Sequence, residues 1–131
     1  MPDKSQILKG FNVHLFEFLD ELIKIFPENM DIPTVKTFFE LTKRGNVTIL
    51  IKAWNVYVNV PYGKKLEEGD LDYFIDKDYR EDLTELSNAD EIVSSIDKIR
   101  KPLKGLSSEN KQHTLNYFNN LNKLSGLYNS M

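Results

Sequence analysis

The chain has no cysteine, and among its 131 residues it has only two histidines, one tryptophan, six glycines and five prolines. Without cysteine there is no disulfide framework, no thiolate zinc site, no iron–sulfur ligation and no Cys nucleophile, which fits a reducing compartment. The glycines (10, 45, 63, 69, 105 and 126) are scattered. Neither the closely spaced set that lets a backbone approach a pyrophosphate nor a Walker A loop is present. His14 and His113 lie in no His-Glu-x-x-His pattern, and neither has a second histidine one helical turn away to share a metal. The amino-terminal residues lack the basic start and apolar run of a signal peptide. The longest nearly apolar stretch, residues 47–61, is too short for a bilayer and is interrupted by Lys52, Asn55 and Asn59. The expectation from these absences is a cytosolic protein with no membrane span and no bound cofactor.

What is present is helical periodicity. In residues 5–26, Leu8, Phe11, Leu15, Phe18, Leu19, Leu22 and Phe26 recur at spacings of three and four, and Pro27 ends the run. Asp31 is a candidate N-cap for a helix reaching Arg44, with Pro33 in its first turn and Gly45 suited to the left-handed position beyond its end. Residues 47–60 are rich in Val, Ile, Thr and Tyr, which suits a strand. The spacing of Val47, Leu50, Ile51, Trp54, Tyr57 and Val58 favours a buried helix instead, ended by Pro61. Residues 62–69 read as a turn, and Asp70 as the cap of a short helix. Asn88 with Glu91 resembles a capping box for a helix to Lys101 with Ile92, Val93, Ile96 and Ile99 inward. Ser107 opens a last helix with Leu115, Phe118, Leu121, Leu124 and Tyr128 facing in. The predicted fold is all-α: a compact single-domain bundle of about five helices with an acidic, partly irregular connection at 62–87.

Charge is unevenly distributed. Residues 66–91 carry eleven acidic side chains against Lys77 and Arg80, a net −9, while the remainder of the chain is +6. The acidic segment does not form an EF-hand: from Asp70 the fifth and sixth positions are Phe74 and Ile75, and from Asp76 the register fails at Arg80 and Glu81. A nonstandard carboxylate site at Asp76, Asp78 and Asp82 is the weaker alternative to a solvated acidic face. With no nucleophile-elbow pattern either, no catalytic or metal-ligating residue is assigned, and a nonenzymatic interaction module is expected. Its candidate contact surface is Tyr73, Phe74, Asp76, Asp78 and Tyr79, where acidic surroundings would steer a basic protein partner and the rings would supply desolvated contact; self-association is a second use of the charge asymmetry. The rival is a nucleic-acid accessory role for Lys98, Arg100, Lys101 and Lys104, against which the acidic isoelectric point of about 5.4 weighs.

Several short stretches carry a resemblance: Ile7-Leu8-Lys9-Gly10-Phe11-Asn12, Phe18-Leu19-Asp20-Glu21-Leu22, Ile25-Phe26-Pro27, Leu50-Ile51-Lys52-Ala53-Trp54, Gly69-Asp70, Tyr73-Phe74-Ile75, Asp78-Tyr79, Ile96-Asp97-Lys98-Ile99-Arg100-Lys101-Pro102 and Asn120-Leu121-Asn122-Lys123-Leu124-Ser125. Together they resemble a small uncharacterised protein family of giant nucleocytoplasmic large DNA viruses. The resemblance implies a viral protein made in the host cytoplasm, acting at the viral factory or packaged in the virion, and it supplies no functional residues.

Overall fold

A computed structural model describes residues 3–76 and 90–131. The elements, in chain order, are α1 (Lys4–Ile25), α2 (Asp31–Gly45), α3 (Ile49–Trp54), a π-helical turn (Asn55–Asn59), α4 (Val60–Glu67), α5 (Leu71–Asp76), α6 (Asp90–Leu103) and α7 (Ser108–Ser130). The fold is all-α, with no strand among the described residues. The helix favoured over a strand for residues 47–60 is present from Ile49, with Val47 and Thr48 in the turn before it.

Each helix begins for a local reason, though not always the expected one. Asp3 opens α1 with a capping box: its carboxylate accepts from Gln6 N–H, and the Gln6 side chain accepts from Asp3 N–H. The core face of α1 takes Ile7 with Phe11, Leu15, Phe18, Leu19 and Leu22, while Leu8 and Phe26 are only half-buried. Asn29, rather than Asp31, caps α2. Its Oδ1 accepts from the backbone N–H groups of Asp31 and Ile32 at 2.8 and 3.1 Å, and Asp31 is already helical. Gly45 is likewise the last residue of α2 and has no positive φ; among the described residues only Gly69 has one, at 87°.

Pro61 does not end the central helix. Residues 49–67 form one helical rod, because the backbone widens into a π-helical turn just before the proline. Within an α-helix a proline ring collides with the carbonyl four residues earlier and offers no N–H. Here the Val60 N–H reaches back five residues to the Asn55 carbonyl, so the ladder restarts and Pro61 falls in the first turn of α4, where a missing N–H costs little. The region expected as a turn is thus helix to Glu67. It closes through paired bonds from Gly69 N–H to the Leu66 carbonyl and from Asp70 N–H to the Lys65 carbonyl, a geometry that requires the left-handed Gly69. Asp70 then caps α5 by accepting from Tyr73 N–H, and Ser107 caps α7 by accepting from Asn110 N–H. The helix expected to stop at Lys101 runs on to Leu103, with Pro102 in its last turn. The expected cap at Asn88 lies outside the described residues.

The core is one cluster. α1 and α7 pack antiparallel along their length, with Lys4 reaching the Met131 carbonyl at one end and Phe18 meeting Tyr117 and Phe118 further along. The rod crosses this pair, placing Trp54 against Phe11 and Phe118. Phe74 of α5 closes on Phe118 and Tyr62. Loss of the Asn29 side chain is expected to remove two capping bonds. Urea denaturation should show Asn29→Ala costing about 1 kcal/mol. Asp31→Ala, which loses only a favourable first-turn charge, should cost about 0.3–0.5 kcal/mol; the reverse order would restore Asp31 as the cap.

Candidate docking groove

The residues singled out in the sequence fall into different places. Phe74 is 1% exposed, with edge-to-face contacts to Tyr62 and Phe118 at 5.2 and 5.1 Å, so it is a core residue and no part of a contact surface. Of the described members of that set Tyr73 and Asp76 are exposed, and Tyr73 packs its ring against Tyr62 with Lys65 over its face. Asp78 and Tyr79 lie outside the described residues, as does Asp82. Tyr62 is buried, and so is Tyr128, which the helical period places inward. Among the described residues no group of three or more histidine or acidic side chains is placed to hold a metal ion, and no helix is long and apolar enough to cross a membrane.

Arg100 corrects the basic-face reading. It is 2% exposed, donates to the Tyr62 hydroxyl at 2.9 Å, and stacks its guanidinium on Phe74 and Tyr62 at 4.6 and 5.3 Å from the ring centres. Asp97, one turn earlier, sits 3.9 Å away. A buried guanidinium is held by partners of this kind and does not reach a phosphate backbone. The helical period hides this: Arg100 follows Ile99 on the inward face of α6, where sequence alone reads a lysine-rich end as solvent-facing. Lys101 and Lys104 remain exposed, and Lys98 is half-buried.

A different surface has the shape of a site. α1 and α2 form an antiparallel hairpin, and residues of both helices with Val47 line a groove of about 820 Å³. Leu8, Val13, Phe16 and Val47 give it an apolar lining, and Val13 and Val47 are each 50% exposed. Its charged rim is polarised along its length. Near the hairpin turn stand Glu17, Asp20 and Glu40, with Lys36 bound to Asp20 at 2.6 Å and 3.9 Å from Glu40. The bond to Asp20 holds the Lys36 ammonium above its ordinary value. Toward the open end the rim is cationic, with Lys9, Lys43 and Arg44; Lys43 lies 4.9 Å from the Phe16 ring centre. At the base, Asn12 is buried and ties α1 to the following loop by donating from Nδ2 to the Val47 carbonyl at 3.3 Å, while its Oδ1 has no partner among the described residues. The sequence carried only part of a signal for this surface: Val13 falls outside the core stripe of α1, whereas the spacing of Val47 assigns it to the inward face of the helix that follows, and it is instead 50% exposed. Phe16 belongs to the same outer stripe, one turn from Val13.

His14 lies on the other flank of α1. Its ring stacks on Tyr117 at 4.6 Å and its Nε2 is buried without a partner among the described residues. Burial lowers its pKa from the ordinary 6.5 and outweighs the upward pull of Glu17. Burial, with Glu21 and Glu17 nearby, raises the Tyr117 hydroxyl. No protein-family model matches the chain, and neither a curated protein nor a solved structure matches it.

Because folded His14 takes its proton less readily than the unfolded chain, the unfolded state binds more protons once pH drops below about 6.5. Stability should therefore decline as pH falls from about 6.5 toward 5, ahead of general carboxylate protonation. Thermal melts across that window should show His14→Gln flattening the decline; an equal slope in the variant would assign it to other groups.

Proposed function

We propose that this protein is a nonenzymatic interaction module whose α1/α2 groove receives one amphipathic helix of a partner protein. The observation that carries the reading is the coincidence of an exposed apolar lining with a rim whose charge changes sign from one end to the other. Large apolar side chains left half in water along a concave surface are what helix-in-groove recognition uses. The stretch of α1 that lines the groove, from Ser5 to Asp20, is roughly 22 Å long at 1.5 Å per residue, which suits a helix of about four turns.

Polarity decides which helix. Acidic residues at one end would meet Lys9, Lys43 and Arg44, and basic residues at the other would meet Glu17 and Glu40. A helix with acids in its amino-terminal turn and bases in its carboxy-terminal turn also satisfies its own dipole, so the partner's charge order and its helicity reinforce each other. Exposed charges of this sort contribute more to orientation and encounter rate than to affinity, which the apolar contact must supply. A viral setting in the host cytoplasm is proposed on the sequence resemblance alone.

The probe is a synthetic four-turn amphipathic peptide in two versions of one composition. One has acids at the amino-terminal end and bases at the carboxy-terminal end, with the charges placed to bracket the apolar face; in the other the charged and apolar positions are scrambled. Fluorescence anisotropy should show saturable binding of the first only. Val13→Asp, at a half-exposed position where the fold tolerates a charge, should weaken it roughly tenfold, which corresponds to 1.4 kcal/mol. Equal binding of both peptides, or no effect of Val13→Asp, would overturn the groove as the docking site.

A further inference from the structure

The outer crest of α1 is built around Val13, a half-exposed side chain in the middle of the stretch that lines the groove. Lys9 and Glu17 stand four residues to either side of it, and both are exposed. With 3.6 residues per turn and 1.5 Å per residue, each lies about 6 Å along the helix and about 40° around it from Val13, in opposite senses. The crest therefore presents a cation, an apolar side chain and an anion at equal intervals. Lys9 and Glu17 form no ion pair among the described residues, whereas Asp20 and Glu40, further along the same rim, share Lys36.

A face whose charge reverses about its own centre is complementary to itself. A two-fold axis at Val13 sets a second α1 antiparallel to the first and brings the two valines together. Each Lys9 then stands opposite the partner's Glu17, and the two ion pairs form about 12 Å apart, one on either side of the axis. The rod shows what a face without this property looks like. Val56 and Val60 are 54% and 72% exposed, and Lys52 and Lys64 stand four residues beyond them at either end. The same operation there would set lysine against lysine, so that stripe repels its own copy.

We propose that two copies of this chain pair through α1, crossed antiparallel at Val13 with a Lys9–Glu17 ion pair on each side of the axis. Resting on the docking role of the α1/α2 hairpin, the dimer is what covers that surface when no partner helix is bound. The crest measures roughly 22 Å by 10 Å, well below the ~800 Å² that a standard interface takes from each partner. The pairing is accordingly weak and reversible. Val13 cannot face a second copy and a partner helix at once, so the two occupants exclude each other and partner binding releases the monomer.

Sedimentation velocity of the full chain alone, from about 10 μM to about 1 mM, should show a monomer passing into a dimer. Lys9→Glu and Glu17→Lys, both at exposed positions, each set like charges together twice across the axis and should weaken the dimer roughly tenfold. An equimolar mixture of the two variants should recover it, because each then meets the opposite charge on the other; so should the chain carrying both changes. A monomer throughout the series, or a mixture that pairs no better than either variant alone, would overturn the dimer. The groove is tested apart from it by peptide anisotropy at low protein concentration. Saturable peptide binding by a chain that never dimerises would sink the second copy and leave the groove standing; charge-swap recovery without peptide binding would support the dimer and remove the partner helix.

Discussion

The ring of Phe118 holds the molecule together. It stands at the middle of α7 and meets three other rings at 5.1 to 5.3 Å, Phe18 of α1, Trp54 of α3 and Phe74 of α5, each near edge-to-face. That geometry sets the positive edge of one ring against the negative face of the next, adding about 0.5–1.5 kcal/mol per pair to the burial itself. The cluster also fixes direction. Trp54 can give its N–H to Asn122 only because Phe118, one turn earlier on α7, has set the distance between the rod and α7. With the inner faces of α1, α3, α5 and α7 committed to this cluster, what α1 and α2 have left over is their outer face, and that is where the groove lies.

Most of the helical architecture was legible because amphipathic stripes repeat over many residues. α1 and α7 show this best: Phe11, Leu15, Phe18 and Leu22 face Leu115, Phe118 and Leu121, and each set follows the helical period. The errors arise where one residue was given a general role. Pro61 reads as a stop in the sequence, although a single widened turn places it where its missing N–H does no harm. Asp31 reads as a cap by residue type alone, and only the backbone shows that it is already helical and that its N–H is taken by Asn29, two residues earlier. Val13 stands outside the core stripe of α1 in the sequence, but the spacing of Val47 assigns it inward, and nothing in a linear pattern brings the two to one groove.

Charge misled in a similar way. A basic carboxy-terminal end on α6 reads as a surface, yet Arg100 is drawn inward because its flat guanidinium can lie on Phe74 and Tyr62 while keeping hydrogen bonds. The same packing removes Phe74 from the acidic contact surface. Both corrections come from packing around Tyr62, whose ring meets Phe74 and whose hydroxyl accepts from Arg100, and both shift attention from the net-acidic middle of the chain to the α1/α2 hairpin.

The central claim is that recognition takes place on this preformed hairpin rather than on α5 or the end of α6. Backbone chemical-shift mapping with the charge-ordered amphipathic peptide tests it directly. Perturbations are expected to concentrate at Leu8, Asn12, Val13, Phe16, Lys43 and Val47, with Phe118 and its neighbours on α7 unmoved and Tyr73, Lys101 and Lys104 unaffected. Perturbations centred on Tyr73 and Asp76, or on Lys101 and Lys104, would contradict it.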